Sequence, residues 1–373
     1  MSDLSTEVAL TRLAGGPPLT SHELDAISEE GWALIAERAR EHRLEPLLHF
    51  RWHAHRAVPL ALRESWAAAH RQSAIAALAM RAELLTLVED LASIGIGTLA
   101  LKGAWLAWNA YPEPALRPLR DLDLLVAVDD ALEARGRLLA AGWREEGAEG
   151  LAAEQWLERF KHLPPLVSSQ GTVLELHVRL WDEDGRTPGN VAGVFGRGQA
   201  DTDHDALRFP DPVDILMHLA VHAAFHRFDA GPLMLIDFDR LTARIDFDWE
   251  AVWRRARAEG WDRALALSLA STRKWGSTGL TRVPLSPIQP PRELLEAMPR
   301  LLCKPVAQRE ADTAEAKRAR ADVPLTQKLR RALARRERFD SARDYLDWIA
   351  GQLAARRGTR HDALVAVDAW LVG

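Results

Sequence analysis

Asp121 and Asp123 stand two residues apart in DLDLLVAV, a run whose other positions are all apolar. Such a run reads as a core strand. The period of two then puts both carboxylates on one face, with their backbones roughly 6 to 7 Å apart. Carboxylates on a core strand are unfavourable unless something of opposite charge meets them. A divalent metal is the simplest partner. Hard oxygen donors suit Mg2+ or Mn2+, bound through carboxylates together with substrate phosphates and water. An isolated Asp-x-Asp is a weak signal, because neighbouring aspartates commonly mark a solvated edge; the apolar interleaving sets this pair apart.

The rest of the chain organises around that strand. From Ser21 to about Ser93 apolar residues recur at helical spacing, with a helix start at Ser21 and acids Glu23 and Asp25 in its first turn. The period changes at Ile96 to Leu101, a short apolar run after Gly95 that reads as a buried strand. A short helix from Ala104 to Ala110, the aspartate strand, a helix from Asp129 to Ala141 and a further strand after Gly142-Trp143 follow. HLPPLVSSQGTVLELHVRL reads as two strands joined by a Ser-Ser-Gln-Gly turn. From Pro212 the pattern is again helical, and Thr281 to Pro291 is a proline-rich linker. The expected fold class is α+β, a small mixed sheet flanked by helical regions at both ends. The expected division is 1–94, an N-terminal helical region; 95–210, the α/β core; 211–280, a helical domain packing on it; and 281–373, linker and C-terminal helices. Fourteen tryptophans are many for 373 residues. They fall mostly in amphipathic segments such as GWALIAERA and DWEAVWRRA, and read as packing.

Four further elements can carry chemistry. Lys102-Gly103 lies between a buried strand and a short helix, where glycine lets the backbone approach a phosphate and helix N–H groups and the lysine face an anion. It also fits a plain tight turn. Arg117 or Arg120 can fork onto a triphosphate, or can neutralise the acidic pair, the reading preferred for Arg120 because it points to the opposite strand face from Asp121. Glu175 shares with His177 the polar face of VLELHVRL. There it is either a third carboxylate completing a metal site and able to accept a proton, or the partner of Arg179 or Lys161 in a salt bridge. His218, His222 and His226 recur every four residues along one helical stripe that lines a cleft, holds a metal or packs at an interface. Asp237, an acid on a mostly apolar helix, is expected to bond that stripe. The stripe lacks the carboxylate of a zinc-protease helix, since HLAVH has Leu219 where the glutamate would stand.

The order and spacing of LKG, YPEPALRPLRDLDLLV, LELHVRL, HLAVHAAFHRF and LIDFDR resemble a bacterial family of uncharacterised nucleotidyltransferases within the polymerase-beta-like superfamily. The resemblance covers roughly residues 30 to 260. Where the superfamily usually has Gly-Ser at its phosphate-binding turn, this sequence has Lys102-Gly103 followed by Ala104, the pattern of this particular family. The resemblance implies that Asp121, Asp123 and Glu175 are catalytic metal ligands and that Arg117 is a family-pattern arginine. Lys102, Gly103, Arg117, His177 and His222 are the expected nucleotide contacts.

The expected function is therefore metal-dependent transfer of an NMP from an NTP such as ATP, with Mg2+ or Mn2+, to an acceptor hydroxyl or phosphate. That acceptor is a small molecule, a peptide or a protein. Two alternatives share the site: sugar transfer from a nucleotide-sugar, and non-catalytic nucleotide binding. The single cysteine, Cys303, excludes an intramolecular disulfide and fits a reducing compartment. The opening MSDLSTEVALTRLAGG has no basic start followed by an apolar core, and no stretch approaches the roughly 20 apolar residues of a membrane span. A cytoplasmic protein without membrane partners is expected. A net charge of -5 and a pI near 6.2 do not mark a polyanion binder. KLRRALARRER, Lys328 to Arg338, is locally basic but reads as a solvated helix face. Nucleic acid is thus not an expected partner, and titration with RNA at physiological ionic strength should give no submicromolar affinity; one that survived that salt would overturn the reading.

Overall fold

A computed structural model describes residues 5–147, 152–181, 191–229, 231–276, 280, 283–309, 311 and 362–372. The basic segment Lys328 to Arg338 lies outside the described residues. The fold is α+β, with helical regions at both ends and a five-stranded mixed sheet between them.

The N-terminal region comprises α1 (Thr6–Ala14), α2 (Ser21–Asp25), α3 (Glu29–Glu41), α4 (Glu45–Trp52) and α5 (Leu60–Ser93). The helix expected at Ser21 starts there because Thr20 and Glu23 form a capping box: the Glu23 N–H donates to Thr20 Oγ1 at 3.2 Å and the Thr20 N–H to Glu23 Oε2 at 2.8 Å. Helical structure also precedes it, since α1 buries Leu10 and Leu13. Its short span gave the apolar period too few turns to stand out. The 34-residue α5 ends in a Schellman turn, in which Gly95 adopts φ 84° and the Ile96 N–H reaches back to Leu91 O at 3.0 Å. That turn aims the chain into the sheet.

The sheet order is β1 (Thr98–Ala100), β2 (Leu122–Val126), β5 (Val173–His177), β4 (Leu166–Val167) and β3 (Arg144–Glu145). β2 runs antiparallel to β1 and parallel to β5, while β4 pairs antiparallel with both β5 and β3. Every residue of the edge strand β1 and of its neighbour β2 is buried, so this side of the sheet is covered on both faces. Between β1 and β2 lies α6 (Gly103–Asn109), and between β2 and β3 lies α7 (Ala131–Ala140). The turn joining β4 to β5 is held by Ser168, whose hydroxyl accepts from the N–H groups of Gln170 and Thr172, each at 3.1 Å.

Beyond α8 (Ala153–Arg159), α9 (Val191–Arg197) and the small hairpin β6 (Gln199–Ala200) and β7 (Arg208–Phe209), the chain is helical. It continues through α10 (Pro212–Phe225), α11 (Leu233–Arg244), α12 (Trp249–Ala258), α13 (Asp262–Trp275) and α14 (Arg292–Leu302). A last helix spans Asp362–Val372. Buried apolar residues from Ala9 to Val367 form one connected cluster. Among the described residues no helix is long and apolar enough to cross a membrane.

Asp214 pins α10 in place. Its fully buried carboxylate takes Arg197 Nε and Nη2 at 2.9 and 2.8 Å and Arg255 Nη2 at 2.6 Å, joining α9, α10 and α12. Asp214→Ala removes the carboxylate that Arg197 and Arg255 share, leaving Arg255 with Glu259, and denaturant unfolding should show a loss of about 3 kcal/mol. Removing the α10 N-cap with Asp211→Ala should cost about 1 kcal/mol. Equal losses would mean that the buried junction contributes no more than an ordinary cap.

Candidate active site

Parallel pairing of β2 and β5 sets Asp123 opposite Glu175 and Leu125 opposite His177. With a side-chain period of two, the carboxylates of Asp123 and Glu175 and the His177 imidazole share one face. His177 Nε2 lies 2.8 Å from Asp123 Oδ1 and 3.2 Å from Glu175 Oε2, and its Nδ1 is 3.2 Å from the Arg179 carbonyl. One ligand atom from each of Asp123, Glu175 and His177 falls within 4.8 Å of the others. Two buried or half-buried carboxylates and an imidazole converging in this way suit a divalent cation in both charge and donor type. Asp121 sits just before β2 and is not part of this close group.

Lys102 completes the cluster, its Nζ 3.3 Å from Asp123 Oδ1. The residue reaches that place from an unusual backbone, φ 40° and ψ -107°, at the N-cap of α6. Strained non-glycine conformations of this kind persist where surrounding contacts over-determine them. Gly103 next to it is closely packed: a Cβ there would stand 2.7 Å from Leu119 Cδ2 and 3.3 Å from Arg117 Nη1, so a side chain requires Leu119 to move.

The charges do not behave alike. Burial acts to raise the Asp123 carboxyl, but the Lys102 charge and the His177 hydrogen bond outweigh it and hold it well below the usual range. Glu175 is also lowered, the pull of His177 and His162 exceeding the effect of burial. Asp121 goes the other way, raised by burial and by the charges of Asp123 and Glu175. Lys102 and His177 relieve the inner pair and leave the rise to Asp121. His177 is raised, because its bonds to the two carboxylates exceed the penalty of burial.

The cluster opens on a cavity of about 630 Å³. Its walls carry Lys102, Lys161, Arg43, Arg117, Arg120, Arg227 and Arg309 against Asp121, Asp123, Glu175, Asp229 and Asp237. His222 and His226 of the histidine stripe face it too, their rings 4.4 Å apart, while His218 is buried behind them. His218 and His222 are neutral, pushed well below the imidazole range by burial and then by Lys102.

Arg117 does not extend its fork into the cavity. Nε and Nη2 each donate to Asp237 at 3.0 Å, and the Tyr111 hydroxyl donates to the same carboxylate at 2.7 Å. Asp237 therefore binds Arg117 and Tyr111, not the histidine stripe as its helical setting suggested; α11 turns it toward the segment leading into β2. Other residues around the site gave little signal in the sequence. His162, 3.7 Å from Glu175 Oε2, is brought in by an antiparallel bridge to His177. Arg43 comes from the end of α3, where its N–H and that of Leu44 close a Schellman turn on Arg40 and Ala39. It occupies with φ 56° the position that Gly95 fills after α5. A glycine there would relax the backbone and remove a guanidinium from the wall.

The family model described as an uncharacterised nucleotidyltransferase matches residues 28–277. The chain belongs to this nucleotidyltransferase family. The matched span runs from just before α3 to just after α13, so the nucleotidyltransferase match contains β1, β2, β5 and the two helices, α10 and α11, that wall the cavity. No curated protein matches the sequence.

His42, on the cavity wall, makes the site's acid sensitivity measurable. Burial and then the Arg309 charge push its imidazole down to about 4, and its Nδ1 accepts from Arg309 Nη2 at 3.0 Å, as only a neutral ring can. In the unfolded chain the ring takes up a proton near pH ~6.5. Between those values the unfolded chain binds more protons, so this stability is complete above pH ~6.5 and is lost as pH falls toward about 4. His218 and His222 act with the same sign; His177, raised, acts with the opposite one, and all three are common to wild type and a His42 variant. Thermal melts across this window should show wild type losing more melting temperature than His42→Gln. Parallel curves would show that His42 is not held neutral in the folded protein.

Proposed function

We propose that this nucleotidyltransferase moves a nucleoside monophosphate from an NTP such as ATP to an acceptor hydroxyl or phosphate, on a small molecule, peptide or protein, with Asp121, Asp123 and Glu175 as its catalytic carboxylates. The observation that carries this reading is the register pair Asp123 and Glu175, with His177 beside them, opening on a cavity whose walls are rich in cations. A divalent cation held by these side chains would neutralise phosphate charge and polarise the reacting phosphoryl group.

The protein's own residues account for the remaining requirements. Lys102, bound to Asp123, carries a positive charge at the junction of carboxylates and cavity, where the donor's phosphates must approach. Arg43 and Arg120 lie close enough to oppose each other's charge, and Arg120 opposes Arg309 in the same way. An anion is what such a wall favours, so the triphosphate and the departing pyrophosphate are assigned to it. Arg117 supports this wall from behind, its fork spent on Asp237. Asp121, raised and outside the close group, is suited to take the proton of the acceptor hydroxyl. His222, neutral and apposed to His226, lines the side of the cavity left for the nucleoside or the acceptor.

Asp123→Asn and Glu175→Gln should each depress turnover about a hundredfold or more, measured as pyrophosphate release from labelled NTPs with a cell extract as acceptor source. Asp121→Asn should lower kcat while leaving nucleotide binding nearly unchanged. Thermal melts of each variant establish that it is folded. Release of a nucleoside diphosphate from a nucleotide-sugar, with no pyrophosphate from any NTP, would replace this reading with sugar transfer. Absence of both activities, and of any nucleotide-dependent stabilisation in the presence of divalent metal, would remove the catalytic reading altogether.

A further inference from the structure

His177 turns one ring nitrogen to two carboxylates and anchors the other on the backbone. The Arg179 carbonyl can only accept, so the contact at 3.2 Å assigns a proton to His177 Nδ1. Nε2 is thereby the atom turned to Asp123 Oδ1 at 2.8 Å and Glu175 Oε2 at 3.2 Å. A ring nitrogen and two carboxylate oxygens aimed at one another call for a positive centre among them, which the imidazolium proton supplies in the ion pair and a divalent cation can replace. Anchoring the far ring nitrogen on a backbone carbonyl is the arrangement that fixes the tautomer and orientation of metal-bound histidines. The His177 side chain is fully buried, while Glu175 opens on the cavity from which a cation can enter. The neighbouring His162 is anchored in the same way, Nδ1 on the Leu163 carbonyl at 2.7 Å, but its Nε2 stands farther off, 3.7 Å from Glu175.

We propose that His177 is itself a ligand of the cation, so that Asp123, Glu175 and His177 form a mixed nitrogen and oxygen site that takes a first-row transition ion in preference to Mg2+. Magnesium favours oxygen donors and keeps much of its water, whereas an imidazole nitrogen raises affinity for softer divalent ions. The proposal deepens the nucleotidyl-transfer reading by naming the class of ion at its site, and rests on that reading only in placing the cation on the same strand face.

The test uses the full chain and Mn2+ alone as probe. Pulsed EPR of the bound ion should show modulation from a coordinated nitrogen, retained in His162→Gln and lost in His177→Gln, which should also bind Mn2+ about tenfold or more weakly. Mg2+ should displace Mn2+ only at large excess. If His177→Gln fails to fold, wild type and His162→Gln carrying 15N-histidine give the same answer, because the modulation must change with the isotope in both. Failure to bind Mn2+, bound Mn2+ without nitrogen coupling, loss of the coupling in His162→Gln, or displacement by equimolar Mg2+ each overturns the proposal. Pyrophosphate release, measured separately, keeps the two readings apart. Turnover with Mg2+ and no nitrogen coupling rejects this ligand assignment alone; nitrogen coupling without turnover on any NTP rejects nucleotidyl transfer alone.

Discussion

A charged carboxylate in the middle of an apolar strand is the constraint around which the molecule is arranged. Asp123 is flanked by Leu122 and Leu124 on a strand buried at every position. Uncompensated, such a charge costs several kcal/mol or more. The compensation comes from two places far apart in the chain. Lys102 arrives from the turn after β1 in a backbone conformation few lysines adopt, and His177 arrives from the end of β5. The depressed Asp123 and Glu175 and the raised His177 all follow from this neutralisation. Asp121, one step outside it, receives the repulsion of the inner pair instead.

The helical regions carry the site's outer wall, and a second set of buried charges holds them together. Asp237 on α11 holds Arg117 and Tyr111, which belong to the segment between α6 and β2, and so ties that helix to the approach to the sheet. Asp214 on α10 holds Arg197 and Arg255, and so ties that helix to α9 and α12. Arg43 extends the same logic to α3, whose last turn accepts a left-handed arginine and so sets its side chain beside Arg120 on the cavity wall.

Period and punctuation made much of the fold readable. The change from helical spacing to a short apolar run after Gly95 marks β1, and acids interleaved with apolar residues in DLDLLV and VLELH mark the two strands β2 and β5, which pair with each other. The face shared by Asp123 and Glu175 is legible for the same reason, because a period of two leaves no freedom once a strand is buried. Arg117 and Asp237 were harder: each is an ionisable residue near an apolar run, and nothing local says that they meet. His162 and Arg43 offered still less, since a single histidine before Leu163 and a single arginine after a helix are ordinary surface residues until the chain folds back.

Residue type and spacing alone thus determined that helices would flank a small mixed sheet with acids on its strands, and the resemblance carried by LKG, DLDLLV and LELHVRL named the nucleotidyltransferase family. Tertiary structure alone decided which charges neutralise one another. Strand alternation and helix periodicity are local, carried by neighbouring residues along the chain. The pairing of Asp123 with Lys102 and His177, and of Arg117 with Asp237, depends on the register of β2 against β5 and on how α11 docks, which are set by packing across the whole core. A buried charge settles with whichever partner that packing brings within about 3 Å.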